Sequence, residues 1–132
     1  MINLAPLVSA ICEKLPTVRA IYSFGSVAAG TDGPQSDIDI AILPSSKLDA
    51  VERWEMRCTL SRLMNRDVDL VDLSQVSTVM RFQVVGTGKR IYSQNTLESE
   101  KFDDLTYSTY LRFNEERKGI LAEIQKRGRI YE

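Results

Sequence analysis

Two neighbouring stretches decide the fold of this chain: Phe24-Gly25-Ser26-Val27-Ala28-Ala29-Gly30 and, after a polar turn, Ser36-Asp37-Ile38-Asp39-Ile40-Ala41-Ile42-Leu43. The first places a glycine–serine turn directly after a strand-like run. Successive side chains of a strand point to opposite faces, so in the second stretch the two aspartates share one face and the isoleucines share the other. Together the stretches predict a strand, a turn and a returning strand with one acidic face.

The acidic pair Asp37 and Asp39 predicts a metal site. Residues two apart on a strand have Cα atoms roughly 6.7 Å apart, and like charges at that separation repel by about 2 kcal/mol at an effective dielectric constant near 20. A divalent cation removes this repulsion, and a small set of hard oxygen ligands suits Mg²⁺, which also takes phosphate oxygens. The alternative is that the pair forms only the solvated face of an edge strand.

The turn at Gly25 and Ser26 favours the metal interpretation. Without a Cβ at Gly25, phosphate can approach the backbone N–H groups, and the Ser26 hydroxyl adds a donor. Glycines at positions 30 and 33 then reverse the chain and return the acidic strand beside the turn. We therefore expect a phosphate site and metal ligands to converge.

A third carboxylate is expected from the stretch 66–73, which contains Asp67, Asp69 and Asp72. Asp67 and Asp69 share a strand face, and periodicity does not choose between them. Asp72 points the other way, which predicts a strand-end or helix-capping role near Ser74. The chain has no histidine, which excludes Ser-His-Asp triads and His-based zinc sites and leaves a carboxylate as any general base.

These residues resemble the minimal nucleotidyltransferase (MNT) branch of the polymerase-β-like superfamily. The resemblance rests on Gly25-Ser26, on Asp37-x-Asp39 after ten intervening residues, and on the later strand Val68-Asp69-Leu70-Val71. It extends from about Val18 to Tyr92, most of the chain. The fold class that it implies is α/β (α+β), with a small mixed sheet flanked by helices.

The resemblance also implies roles for five residues. Asp37, Asp39 and Asp69 would be the catalytic carboxylates and the ligands of two Mg²⁺ ions, and Gly25 and Ser26 would bind the nucleotide. The substrate implied is ATP. Asp69 would be the general base.

One position departs from the family pattern. Many relatives carry an arginine immediately before the second glycine of the turn, where this chain has Ala29. Phosphate neutralisation would then need another base, and the sequence leaves the choice open. The candidates are Arg62, Arg81, Lys89 and Arg90.

Length and composition agree with a small enzyme core. The chain has 132 residues, 43% of them hydrophobic, and a formal net charge of −1. These values predict one domain with a sufficient core and no general attraction to nucleic acid. An apolar run long enough to span a bilayer and a signal-peptide pattern are both absent from the sequence, so we expect a cytoplasmic protein without membrane partners.

The pattern along the chain predicts alternating helices and strands. We expect a nucleotidyltransferase core over residues 1–92 and a linker with a long C-terminal helix over residues 93–132. That helix could pack back on the sheet or dock a partner. Within the core, we expect Ser46 and Ser74 to cap helices and Trp54 to lie in the core.

The C-terminal part resembles a narrower group, the small MNT antitoxins of toxin–antitoxin pairs. The resemblance implies that the partner is a HEPN-domain ribonuclease toxin and that AMP is transferred from ATP to a tyrosine of that toxin, which silences it. Two alternatives stay open. One is a non-catalytic antitoxin that acts by stoichiometric binding, and the other is a nucleotidyltransferase that acts on a small molecule such as an aminoglycoside.

Overall fold

The computed structural model of this chain describes residues 2–33 and 36–130, with side chains as far as residue 126. Its helices are α1 (Ala5–Lys14), α2 (Gly25–Ala29), α3 (Ala50–Met64), α4 (Thr78–Thr87) and α5 (Thr96–Ile130). Its strands are β1 (Ala20–Phe24), β2 (Ile38–Leu43), β3 (Val68–Asp72) and β4 (Lys89–Ser93). The predicted α+β class is confirmed.

The strands form one mixed sheet in the order β3-β2-β1-β4. Strand β1 is antiparallel to β2 and to β4, whereas β2 and β3 are parallel because helix α3 crosses over between them. Strand β2 is therefore interior. The alternative that Asp37 and Asp39 form the solvated face of an edge strand is therefore wrong.

Alternating side chains of the strands build a core on each face of the sheet. One face, which includes Ile21, Ile40 and Leu70, is covered by α1 and α3. The other face includes Tyr22, Ala41 and Leu73 and packs against Val84 of α4 and Phe102 of α5. Asp39 and Asp69 alternate with Ile40 and Leu70, so they lie on this second face.

The helix caps differ from the predicted ones. Asp49, not Ser46, caps α3, because its Oδ1 accepts the Glu52 N–H at 2.8 Å. Ser77, not Ser74, caps α4.

The Ser74 hydroxyl bonds to Asp72 instead of capping a helix. It donates to Asp72 Oδ1 at 2.6 Å. The buried Asp72 also accepts N–H bonds from Leu48 and from Ser74, so its predicted strand-end role is confirmed.

The first part of helix α5 is fixed to the rest of the fold. The rings of Phe82 and Tyr110 stack with centroids 3.8 Å apart. Tyr22 donates its hydroxyl hydrogen bond to Asp103 at 2.6 Å, and Arg90 pairs with the same carboxylate at 2.9 Å. The predicted long helix is therefore present, and its first half packs back on the core.

The second part of α5 presents apolar side chains to solvent. Leu111, Ile120, Leu121 and Ile124 are each more than half exposed. Whether residues 93–132 act as a separate docking unit stays a prediction. No helix within residues 2–33 and 36–130 has the length and apolar character needed to cross a membrane.

Candidate active site

The centre of the candidate site is the contact between Gly25 and Asp39. Phe24, the last residue of β1, is the register partner of Asp39 on β2. Gly25 follows with a φ of +70°, and a Cβ at this position would overlap the Asp39 carboxylate. Glycine adopts this φ without strain and leaves room for the Asp39 carboxylate in its present position, which gives a structural cause for glycine at this position.

Asp69 lies directly beside Asp39. The two residues are register partners on the parallel strands β2 and β3, and both side chains therefore point to the same face of the sheet. Asp67 precedes β3, where its carbonyl accepts the Ile38 N–H at 2.9 Å. Of the two carboxylates that periodicity left open, Asp69 is the one next to Asp39.

Asp37 completes the acidic group from the residue before β2. It is exposed, as is Asp69, whereas Asp39 between them is half-buried. Burial raises the pKa of Asp39 above its usual value, and the charges of Asp69 and then Asp37 raise it further. The structure thus places Asp37 and Asp69 close enough to Asp39 for their charges to act on it.

The chemistry of this donor set fits Mg²⁺. Within the described part of the chain, no three acidic, histidine or cysteine side chains form a complete ligand cluster. Mg²⁺ keeps several waters and is commonly bound by one or two carboxylates together with substrate phosphates, so it does not need such a cluster. Three mutually repelling carboxylates beside an open backbone turn are compatible with that mode of binding.

Ser26 occupies the second position of α2, directly after Gly25. It is half-buried. The structure therefore places Gly25 against Asp39, with Ser26 next to it at the start of α2.

Two of the four candidate substitutes for the missing arginine are already engaged. The Arg81 guanidinium donates to the carbonyls of Leu73 and Val76. Arg90 is held by Asp103. The choice among the four stays a prediction.

A pocket that sequence reasoning missed lies next to Asp69. Its volume is about 330 Å³, and its walls include Arg53, Trp54 and Arg57 of α3. Trp54 was predicted to lie in the core, but it is 64% exposed. The prediction for Trp54 is therefore wrong.

The error at Trp54 came from the choice of helix face. The sequence pattern predicts an apolar stripe on α3 through Val51, Trp54, Cys58 and Leu63. Cys58 is half-buried, whereas the other three are exposed. The buried face instead carries Met56 and Leu60. Trp54 and Cys58 have the same four-residue spacing as Met56 and Leu60, so spacing alone does not separate the two faces.

A larger cavity of about 780 Å³ lies away from the carboxylates. Ser23 lines it and is the register partner of Ile40, so this cavity opens on the face of the sheet opposite to Asp39. None of the five predicted site residues lines it. We place the candidate active site at the acidic face, because size alone does not supply ligands for metal or phosphate.

Comparison with known proteins identifies the family of the chain. Residues 8–97 match the family described as Polymerase beta, Nucleotidyltransferase. The curated protein adenylyltransferase MntA of Shewanella oneidensis is 37% identical over 123 residues, which are 93% of this chain and 88% of that protein.

Solved structures of toxin–antitoxin complexes also contain chains similar to this one. A chain in a crystal structure of a toxin–antitoxin with AMP-PNP superposes with a TM-score of 0.84 at 36% identity, covering 94% of this chain and 99% of the other. A second match, with a TM-score of 0.75 and 34% identity, is to a structure of tri-AMPylated Shewanella oneidensis HEPN toxin in complex with MNT antitoxin. It covers 91% of this chain and 93% of the other.

Proposed function

Because this chain belongs to the polymerase β nucleotidyltransferase family, we propose that it is an antitoxin that transfers AMP from ATP to a tyrosine of a HEPN ribonuclease toxin and so neutralises it. The observation that carries the proposal is the register pairing of Asp39 with Asp69 beside Gly25. Two carboxylates at one open backbone turn supply what phosphoryl transfer requires of a protein, which is positioning and charge stabilisation.

Asp37, Asp39 and Asp69 would hold two Mg²⁺ ions together with the triphosphate. Bound Mg²⁺ would polarise the α-phosphate and offset the charge of the triphosphate. Burial, and then the charges of Asp69 and Asp37, raise the pKa of Asp39. A cation beside Asp39 would offset both effects, which supports this role. Asp39 would thus be the central ligand, and Asp37 and Asp69 would be the outer ones.

Gly25 and Ser26 would position the nucleotide. Gly25 is exposed and its backbone lies against the Asp39 carboxylate, so a phosphate could come within reach of both the turn and the carboxylates. The Ser26 hydroxyl would donate a hydrogen bond to a phosphate oxygen, which is worth about 1.5–3 kcal/mol for a charged acceptor.

Asp69 would act as the general base. It is exposed, so an acceptor hydroxyl from outside the chain can reach it. Asp69 would take the proton of the tyrosine hydroxyl, the phenolic oxygen would form a bond to the α-phosphorus, and the bond from that phosphorus to the bridging oxygen would break. Pyrophosphate then leaves with its electron pair.

The acceptor would come from a partner protein. Relatives that superpose over nine-tenths of this chain occur in toxin–antitoxin structures, one of them with an AMPylated HEPN toxin. The match covers 93% or more of those chains, so the similarity extends over essentially the whole relative. This coverage supports a HEPN toxin as partner over a small-molecule substrate.

The decisive experiment is transfer of label from α-³²P-ATP to the cognate HEPN toxin. We expect label on the toxin with wild type, and at least a hundredfold slower transfer with Asp39→Asn. Growth rescue of toxin-expressing cells is measured in parallel. If Asp39→Asn protects cells as well as wild type does, neutralisation is stoichiometric. Label on an aminoglycoside but none on the toxin would indicate the small-molecule enzyme.

A further inference from the structure

The pocket beside Asp69 lies at the free edge of the sheet. Strand β3 is terminal in the order β3-β2-β1-β4, and helix α3 runs alongside it. The pocket is bounded by Asp69, Leu70 and Val71 on the strand and by exposed side chains of α3. One wall of this pocket is therefore the proposed general base.

The backbone of β3 offers hydrogen-bonding groups at this edge. Ile38 donates to the Asp67 carbonyl and Leu73 donates to the Ile42 carbonyl, each at 2.9 Å. In a parallel ladder alternate residues face the partner strand, so the odd-numbered residues of β3 bond to β2. The N–H and C=O groups of Leu70 consequently point to the free edge.

Side chains of α3 cover this edge only in part. The Val68 N–H donates to Ser61 Oγ at 3.0 Å, and the Val68 carbonyl accepts from Arg57 Nε at 3.1 Å. For the N–H and carbonyl groups of Leu70, the described residues provide no such side-chain hydrogen bond. An exposed pair of strand groups can bind an extended segment of another chain.

The opposite wall of the pocket is aromatic and positively charged. Trp54 is 64% exposed, which leaves its ring free to pack against a second aromatic side chain. Arg53 and Arg57 have no carboxylate partner within residues 2–33 and 36–130. Their charges would attract acidic residues next to an acceptor.

We propose that this pocket is the acceptor site of the enzyme, in which an extended segment of the toxin lies along β3 and its tyrosine ring packs against Trp54. The segment would pair with the exposed groups of Leu70, and the ring would enter a cavity of about 330 Å³. The tyrosine hydroxyl is thereby presented to Asp69. This inference rests on the proposed function, because it names the site that receives the toxin.

The first test uses Trp54 as a reporter, since the chain contains a single tryptophan. The chain is labelled with 5-fluorotryptophan, so its ¹⁹F spectrum has one resonance, and unlabelled toxin is added. We expect this resonance to shift with wild-type toxin and to stay near its free position with a bound toxin whose acceptor tyrosine is alanine. An equal shift with both toxins, or no shift with either, would overturn the proposal.

The second test is kinetic. Trp54→Ala should raise the KM for toxin by about tenfold, which is the scale of a lost aromatic contact. The affinity for AMP-PNP with Mg²⁺ should stay within about twofold of wild type. Val51→Ala is the matched control, because Val51 is equally exposed on the same helix, at 64%, and does not line the pocket; it should behave as wild type.

The two proposals fail in different ways. Wild type that transfers no AMP to the toxin would refute the proposed function. Wild type that transfers AMP while Trp54→Ala does so with an unchanged KM would refute the acceptor site alone. Arg53→Gln should also raise the KM for toxin and Arg53→Lys should restore it, and an unchanged KM in Arg53→Gln would contradict the role of the positive charge.

Discussion

The backbone of Gly25 lies against the Asp39 carboxylate, and this packing depends on the absence of a side chain at Gly25. Gly25 has a left-handed backbone with φ +70°, and any Cβ there would overlap the Asp39 carboxylate. The contact joins the turn after β1 to the acidic strand β2. The pairing of Phe24 with Asp39 on the neighbouring strands therefore holds the proposed nucleotide turn beside the proposed metal ligands.

Gly25→Ala should therefore damage the site through two effects, backbone strain and overlap with Asp39. Gly30 separates them, because it also has a positive φ, +75°, but has nothing within 4 Å of a built Cβ. Strain alone costs about 1–3 kcal/mol, so we expect both variants to lose stability on that scale. Calorimetry with AMP-PNP and Mg²⁺ should show at least a tenfold weaker affinity for Gly25→Ala only, and equal affinities would contradict the assigned contact.

Asp39→Asn should change how stability depends on pH. The folded pKa of Asp39 is raised above its ordinary value of 3.8, so its charged form opposes folding. The stability that it contributes is fully present below the unfolded pKa and is lost as the pH rises through the folded pKa. At pH 7 without metal, Asp39→Asn should unfold at the same temperature as wild type or a few degrees higher.

The measurement for this prediction is thermal unfolding between pH 3 and 8, with EDTA or with Mg²⁺ and AMP-PNP. The difference between the two proteins should vanish near pH 3, and ligand should stabilise wild type more than Asp39→Asn. The double variant Asp37→Asn/Asp39→Asn should follow the same trend. A metal-free variant that is less stable than wild type at pH 7 would show that the Asp39 charge supports the fold.

The sequence predicts those features near the candidate site that depend on residues close together in the chain. The role of Asp72 followed from strand alternation and a serine two residues later, and the structure confirms it. The pairing of Asp39 with Asp69 could not follow from periodicity, since the register of parallel strands is set by the packing of the helix between them. Trp54 was misplaced because two apolar stripes compete on α3, and only packing on the sheet decides which is buried.

The hydrogen bond from Tyr22 to Asp103 should determine how firmly α5 is held. Burial, followed by the contact with Asp103, raises the pKa of the Tyr22 hydroxyl, so the group donates at every physiological pH. Tyr22→Phe removes this donor and should cost about 1.5–3 kcal/mol, the range for a bond to a charged acceptor. Urea unfolding measures this loss of stability. Tyr107→Phe is the control, because the ring contact of Tyr107 with Phe82 does not need the hydroxyl, and it should have a small effect.

Two truncations of α5 should distinguish the role of its packed first part from the role of its exposed second part. Removal of everything after Asn95 would take away Phe102 and Asp103, which contact the core and the sheet, so we expect aggregation and loss of nucleotide binding. Removal of everything after Asn114 keeps Asp103 and the stack of Tyr110 on Phe82. This shorter protein should keep its AMP-PNP affinity within about twofold while its affinity for toxin falls at least tenfold, because exposed apolar side chains such as Ile120 and Leu121 are lost.

Surface plasmon resonance with immobilised toxin measures the affinity for toxin, and the full-length variant Ile120→Ser/Leu121→Ser should show the same loss. Undiminished toxin binding by both proteins would show that the exposed half of α5 does not dock the partner, and contact would then rest with the acceptor pocket.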